Sequence, residues 1–217
     1  MKLSFKPYEI DHHVLKLIVA VIALFLANVT AFFSAVPLDS ISEAYHQNGW
    51  ARDFLVGSLF AISAFLLAYN GEEALEMVLS KIAGVAALGV ALFPCRCDVY
   101  DEILPYVHYV SAAVMFIVLA CLCGFFYKRA VRKGHREAIW RSWLYATCGM
   151  VIMLAVGVLG LDFFMDGALS ARCDRLVFYG ERTALFAFGI SWLVASRVLP
   201  IITAKEERVS VLPVAAS

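Results

Sequence analysis

Ionisable and hydroxyl side chains stand at corresponding positions of several apolar segments of this chain. His108 and Glu181 each lie about five residues into such a segment, a depth of roughly 7–8 Å at the rise of an α-helix. The residues of this kind are Ser42, Asp53, His108, Asp162, Glu181 and Arg182. Carboxylates and imidazoles are the usual groups of general acid–base catalysis, so we expect one polar site.

Two interpretations of this set stand side by side. A charge at the middle of a membrane helix costs about 2.5–3.5 kcal/mol, so such groups normally face the interior and pair. As a pocket, the site has Asp53, His108 and Glu181 as catalytic candidates, and its substrate-binding candidates are Ser42, Arg52, Arg182 and Asp162. As a lock, Glu181 pairs with Arg52, or Asp53 with Arg182, and pins two helices together.

The composition indicates that the elements carrying these residues span a membrane. The chain has 217 residues, 62% hydrophobic and 17% charged, where a soluble protein has about a quarter charged residues. A spanning helix needs about 20 apolar residues. We therefore predict an all-α, polytopic bundle of six transmembrane helices over residues 1–200, with a tail at 201–217. The predicted spans are about 15–37, 53–70, 75–95, 103–127, 142–163 and 176–198.

The sixth predicted span carries the most information about the site. Its charge-free part, Thr183 to Ser196, is too short to cross a bilayer. It reaches full length only from about Leu176, which places Glu181 and Arg182 inside the span. Because adjacent helical residues point in different directions, we expect these two side chains to have different partners.

The distribution of Lys and Arg predicts the orientation. Most of the 18 Lys and Arg residues fall on the side of the two termini; the exceptions are Arg52, Arg96, Arg172, Arg175 and the intramembrane Arg182. By the positive-inside rule both termini are cytoplasmic and the odd-numbered loops are extracytoplasmic, in a bacterial inner membrane. The polar site then opens outward, and we expect no comparable set in the inner half. The zero net charge gives no basis for a nucleic-acid partner, and the oligomeric state is left open.

Three of the six cysteines fall on the predicted outer side. These are Cys95, Cys97 and Cys173. Because an oxidising compartment permits disulfides, we predict a bond from Cys173 to either Cys95 or Cys97.

Several segments resemble a known group of membrane proteins. They are SISEAYHQNGWARDFLVGSLFAISAFLLAYNG, VALFPC, VHYVSAAVMFIVLA and ERTALFAFGISWLVA. They are similar to uncharacterised bacterial six-span proteins and, more remotely, to the DRAM/Frag/Sfk-type membrane proteins. The resemblance covers most of the bundle and implies a six-helix fold, but no reaction.

Ser42, Asp53 and His108 also resemble part of the site of the CREST superfamily of ceramidases and PAQR receptors. That superfamily uses an intramembrane zinc to hydrolyse lipid amides. The resemblance implies a zinc set of His46, His108 and Glu181 (or Asp53) here, although the superfamily has seven core spans and three His ligands.

Three functions are compatible with these observations. The first is a lipid-directed hydrolase, for which both a metal-dependent and a metal-free mechanism are open. The second is a non-catalytic protein that binds a lipid head group or a partner, or that uses the polar cluster as a lock. The third is a transporter, which ranks last because the cluster lies far from the midplane. Membrane lipids are the expected partners in the first two.

Overall fold

Six α-helices make up most of the chain that the structure describes. The structure is a computed structural model that describes residues 12–96, 104 and 106–209. The helices are α1 (His12–Phe33), α2 (Trp50–Ala68), α3 (Ala74–Leu92), α4 (Val107–Lys133), α5 (Arg136–Phe164) and α6 (Leu176–Ala195). Two short 3₁₀ helices, η1 (Ile41–His46) and η2 (Lys205–Glu207), lie in the connecting and tail segments. Within these residues there is no strand, and the predicted all-α class is confirmed.

Five of the helices, α1 to α5, are long and apolar enough to cross a membrane. The sixth, α6, has 20 residues and carries Glu181 and Arg182, and it is not among these five. The membrane character predicted from composition is therefore confirmed for five helices. Two helices are longer than predicted, since α4 continues to Lys133 and α5 begins at Arg136.

The helices pack in the order of the chain and close into a ring. Each helix contacts the next one, α6 returns to α1, and α4 also contacts α6 across the ring. The largest fully buried side chains include Trp192, Phe188 and Tyr69, whose rings contact one another around Trp192. We call the end with η1 the η1 end and the opposite end, where α1 begins and the tail folds back, the tail end.

Glycines allow the closest helix contacts. A Cβ on Gly189 of α6 would lie 2.7 Å from Leu24 Cγ and 3.2 Å from the Ala20 carbonyl oxygen of α1. A Cβ on Gly84 of α3 would lie 2.8 Å from Leu67 Cγ and 3.1 Å from the Ser63 carbonyl oxygen of α2. At both places a backbone atom stands in the way, so the neighbouring helix would have to move.

Gly189→Leu is therefore expected to destabilise the bundle. Overpacking of this kind costs about 1–3 kcal/mol, and here it pushes α6 away from α1. Gly157→Leu in α5 is the matched control, because a Cβ there meets nothing within 4 Å. The midpoint of denaturant unfolding in detergent should fall for Gly189→Leu and stay close to the wild type for Gly157→Leu. Equal midpoints for the two variants would contradict the close contact.

Candidate functional site

The η1 segment is a short polar helix seated on the end of the bundle. It packs against α1, α2 and α6. Ser40 caps it, because its hydroxyl accepts the Ser42 N–H at 3.1 Å. Glu43 reaches back to accept the Asp39 N–H at 2.8 Å, a variant of the S-x-x-E capping pattern. Both hydrogen bonds are local, so the sequence of the segment favours η1 independently of its contacts with the bundle.

Glu181 fastens this segment to α6. Its carboxylate accepts the Ile41 N–H at 2.6 Å and the Ser40 hydroxyl at 3.0 Å, and its Oε1 lies 3.5 Å from Ser42 Oγ. Two more hydrogen bonds add to the attachment: Phe178 N donates to the Asp39 carbonyl, and the Arg175 side chain donates through Nε to the Leu38 carbonyl. Since a carboxylate is costly to bury without donors, these bonds explain how α6 can carry Glu181 inside the bundle.

His108 lies on the other side of Ser42. Its Nδ1 is 2.8 Å from the Phe93 carbonyl oxygen, and its Nε2 is 3.1 Å from Ser42 Oγ. A carbonyl oxygen only accepts hydrogen bonds, so Nδ1 must carry a proton. In the neutral ring Nε2 is then an acceptor, and the Ser42 hydroxyl donates a hydrogen bond to it. The structure thus brings together three predicted residues, Ser42, His108 and Glu181, and we call them the η1 network.

Two other predicted residues are not part of this network. Arg52 and Asp53 are both exposed in the first turn of α2. The Arg52 guanidinium lies over the Tyr45 ring at 5.5 Å. Neither of the predicted ion pairs, Glu181 with Arg52 or Asp53 with Arg182, is among those formed within the described residues.

Arg182 and Asp162 also lie apart from the network. The Arg182 guanidinium lies over the Phe186 ring at 5.6 Å, so Glu181 and Arg182 have different partners, as predicted. Asp162 is buried at the end of α5. Its Oδ1 accepts the N–H groups of Leu169 and Ser170, each at 2.9 Å, which shapes the turn after the helix.

The residues expected to hold zinc do not converge. His46 Nε2 lies 2.8 Å from the Cys95 carbonyl oxygen, whereas His108 contacts the Phe93 carbonyl and Ser42. Among the described residues no three His, Cys, Asp or Glu side chains are placed to bind a metal ion. The set of His46, His108 and Glu181 therefore does not fit a zinc ion.

The predicted disulfide from Cys173 is not formed. Cys173 is a free, exposed thiol. Cys95 is in a disulfide, and Cys97, the alternative partner for Cys173, lies outside the described residues. The loop of Cys173 is attached instead to the chain before η1, because Arg175 Nε donates to the Leu38 carbonyl.

An open groove runs beside the η1 network. Its volume is about 740 Å³. Asp39, Ser40 and Glu43 line one side, and Ser170 and Arg175 lie on the other. Ser40 borders the groove and also donates to Glu181, so it is the point where the groove meets the network. The groove residues from the 167–177 segment were not predicted as site residues.

A second buried polar cluster lies at the tail end, where we expected none. Glu76 is 0% exposed; its carboxylate pairs with Arg129 Nη2 and accepts the Tyr69 hydroxyl at 2.6 Å. Arg129 Nε also lies 3.0 Å from Glu72. Lys16, also buried, places its ammonium over the Tyr69 ring at 5.2 Å. The expectation that this half of the bundle is without such a set is therefore wrong.

Signals for the tail-end cluster were present in the sequence. Lys16 and Glu76 both fall inside predicted spans, 15–37 and 75–95, as Glu181 does in its own span. The rule that intramembrane charges face the interior and pair applies equally to them.

Known proteins give no information on the function of this chain. Comparison of the chain with protein-family models, curated proteins and solved structures finds no match. The arguments about function therefore depend on the residues themselves: an oriented serine–histidine pair, a carboxylate that fastens η1, and a groove beside them.

Proposed function

We propose that the chain is a six-span integral membrane protein that hydrolyses an ester or amide bond of a lipid at its η1 end. The observation that carries the proposal is the pairing of Ser42 Oγ with His108 Nε2 at 3.1 Å, with the other ring nitrogen directed at the Phe93 carbonyl. A nucleophile bonded to a base, and a base oriented by a third group, is the arrangement used in nucleophilic catalysis.

The membrane arrangement of this proposal has α6 as the sixth span. Five helices have the required length and composition, and α6 packs between α1 and α5 in the ring. Its carboxylate is satisfied by η1, which lowers the cost of placing α6 beside lipid. The Lys and Arg distribution orients the termini to the cytoplasm and the η1 end outward, and the inner membrane is the proposed location.

The proposed chemistry uses the chain's own groups. His108 Nε2 takes the Ser42 proton while Oγ forms a bond to the carbonyl carbon of the lipid. The proton then passes to the leaving alcohol or amine as its bond to that carbon breaks. A water molecule hydrolyses the acyl-serine, with His108 again the base. No step is assigned to zinc, since the residues do not converge on a metal position.

Access to Ser42 requires movement of η1. Ser42 is only 8% exposed, while Ser40 borders the open groove. Because Ser42 is part of η1, the groove must open toward the pair by movement of the Asp39–Ser40 end away from Glu181, while Ser42 stays on His108. In the groove, Arg175 and Ser170 are the groups available to an anionic or polar lipid head group.

Fluorophosphonate labelling tests the nucleophile directly. The probe phosphonylates an activated serine with loss of fluoride. We expect an adduct on Ser42 in detergent-purified protein, lost in Ser42→Ala and reduced by about 10²–10⁴-fold in rate in His108→Ala, the usual contribution of a general base. Ser58→Ala, at a buried serine of α2, should label like the wild type. Mass mapping of the adduct is the measurement.

A second candidate is a non-catalytic role, in which the network holds η1 closed over a lipid- or partner-binding groove. The observation in its favour is the bonding of Glu181 to the backbone of η1. Folded wild-type protein that forms no serine adduct would reject the hydrolase and support this role. Lipids that co-purify with the protein would then be lost on substitution of Arg175.

A further inference from the structure

Basic side chains converge on a small cavity at the tail end, far from the η1 network. The cavity measures about 30 Å³. The cations that line it are Lys16, Arg129, Lys133, Arg141 and Arg197, from α1, α4, α5 and the chain just after α6. The rings of Phe126 and Tyr145 form its apolar wall. Five cations around one cavity form an environment that attracts anions.

Arg141 is the buried centre of this basic cavity. Its side chain is 4% exposed. Nη2 donates to Glu207 at 2.6 Å, whereas Nη1 is buried and has no hydrogen-bond partner within the described chain. A buried guanidinium N–H without an acceptor is costly. One donor of the cavity is therefore available to an acceptor that is absent from the structure.

Glu207, in the tail, supplies the negative charge that the cavity contains. Its carboxylate contacts Lys133 and Arg141 and lies 3.5 Å from His135 Nε2. Burial alone would raise the pKa of Glu207, but the hydrogen bonds and charges of Lys133 and Arg141 outweigh it and lower the pKa to about 2. Glu207 is thus an anion at neutral pH.

The cavity keeps an excess of positive charge with Glu207 in place. Arg129 is paired with Glu72 and Glu76. Lys16 and Arg197 are in no ion pair within the described residues; the Lys16 ammonium lies instead over the Phe126 and Tyr69 rings. Among the other four cations, Glu207 therefore pairs only with Lys133 and Arg141.

We propose that this basic cavity is a binding site for a phosphate group, and that Glu207 occupies part of it as an internal substitute. Guanidinium groups match phosphate oxygens in geometry and charge. With Glu207 seated, the remaining space suits about two water molecules, so a phosphate enters only when the tail leaves. Binding of phosphate and docking of the tail are mutually exclusive.

The phosphate group that binds here can come from two sources, which share the same chemistry. It is a free phosphate or phosphorylated metabolite in solution, or the head group of an anionic lipid. The cavity lies where α4 ends and α1 begins, so either source reaches it from the tail end. The experiment has one arm for each.

The first test compares Glu207→Gln with wild-type protein, both full length and in uncharged detergent. Calorimetric titration with inorganic phosphate forms one arm, and titration with phosphatidate in mixed micelles forms the other. If the tail is seated at least nine-tenths of the time, its release tightens apparent binding by about tenfold or more. Glu206→Gln, at the exposed neighbouring glutamate, should bind like the wild type.

The second test removes Arg141 in the Glu207→Gln background, so that the Glu207 carboxylate is not left without its arginine. Arg141→Gln should abolish binding, and Arg141→Lys, the variant less disruptive to folding, should weaken it. Arg136→Gln, at an exposed arginine of the same helix, should leave binding unchanged. Tight binding of phosphate assigns a soluble ligand, and tight binding of phosphatidate alone assigns a lipid. No binding of either probe to Glu207→Gln, or an affinity unaffected by Arg141, would overturn the proposal.

Discussion

Arg129→Met is expected to lower the free energy of unfolding by about 3–5 kcal/mol, because it leaves a buried carboxylate without its cation. Glu76 is fully buried and its Oε2 contacts Arg129. The Tyr69 hydroxyl and the Glu72 N–H remain as donors, but neither neutralises the charge. Unfolding in detergent, followed by circular dichroism as denaturant is added, measures the loss.

Two further variants distinguish the loss of the buried ion pair from a general effect of replacing an arginine. Arg129→Met combined with Glu76→Leu removes both charges and should recover much of the loss, since an apolar pair replaces a buried ionic one at little cost. Arg132→Met breaks an ion pair to Glu73 in which both side chains are about half exposed, so it should cost no more than about 1 kcal/mol. A similar loss from Arg129→Met and Arg132→Met would contradict the importance of burial.

Glu181→Ala is expected to detach η1 from the bundle. The substitution removes the acceptor of the Ile41 N–H and the Ser40 hydroxyl, and each buried donor left without a partner costs about 1–3 kcal/mol. Glu181→Gln keeps one acceptor oxygen and should have a smaller effect. Hydrogen exchange of residues 38–47 is the measurement, and exchange there should rise much more for Ala than for Gln.

The adjacent residue supplies the control for Glu181. Arg182 lies one position along α6 and contacts the Phe186 ring instead of η1. Arg182→Ala should therefore leave the exchange of residues 38–47 near the wild-type level. Protection of this segment that survives Glu181→Ala would show that the hydrogen bonds from Phe178 N and the Arg175 side chain suffice.

The helices were largely predictable because hydropathy reports burial in lipid directly. The predicted spans overlap α1 to α6, and the ends differ where a helix continues into polar sequence. Lys128 to Lys133 read as a charged loop, yet these residues extend α4. Hydropathy detects where a helix leaves the apolar layer and is insensitive to where its hydrogen bonding ends.

The site was predicted in part, for reasons that differ between residues. Glu181 and His108 were identifiable because a polar residue inside an apolar run must find a partner. Asp53 lies at a helix start, where an exposed acidic residue is favourable by itself, so its position did not distinguish an exposed role from a buried one. The tail-end cluster was missed because Arg129 contributed to the orientation signal, and its partner Glu76 is far away in sequence.

The polar start of α6 also bears on the order in which the helices enter the membrane during synthesis. In the proposed six-span arrangement, a segment with Glu181 and Arg182 inserts poorly by itself, because each charge at mid-helix raises the free energy of insertion by about 2.5–3.5 kcal/mol. The groups that accommodate Glu181 are Ser40 and Ile41, which precede it by 141 and 140 residues. They leave the ribosome long before α6 does. Both neighbours of α6 in the ring, α1 and α5, are also synthesised before it. The last helix thus inserts beside partners that are already in place, and a chain from which α1 and η1 have been deleted would be expected to leave α6 outside the bilayer.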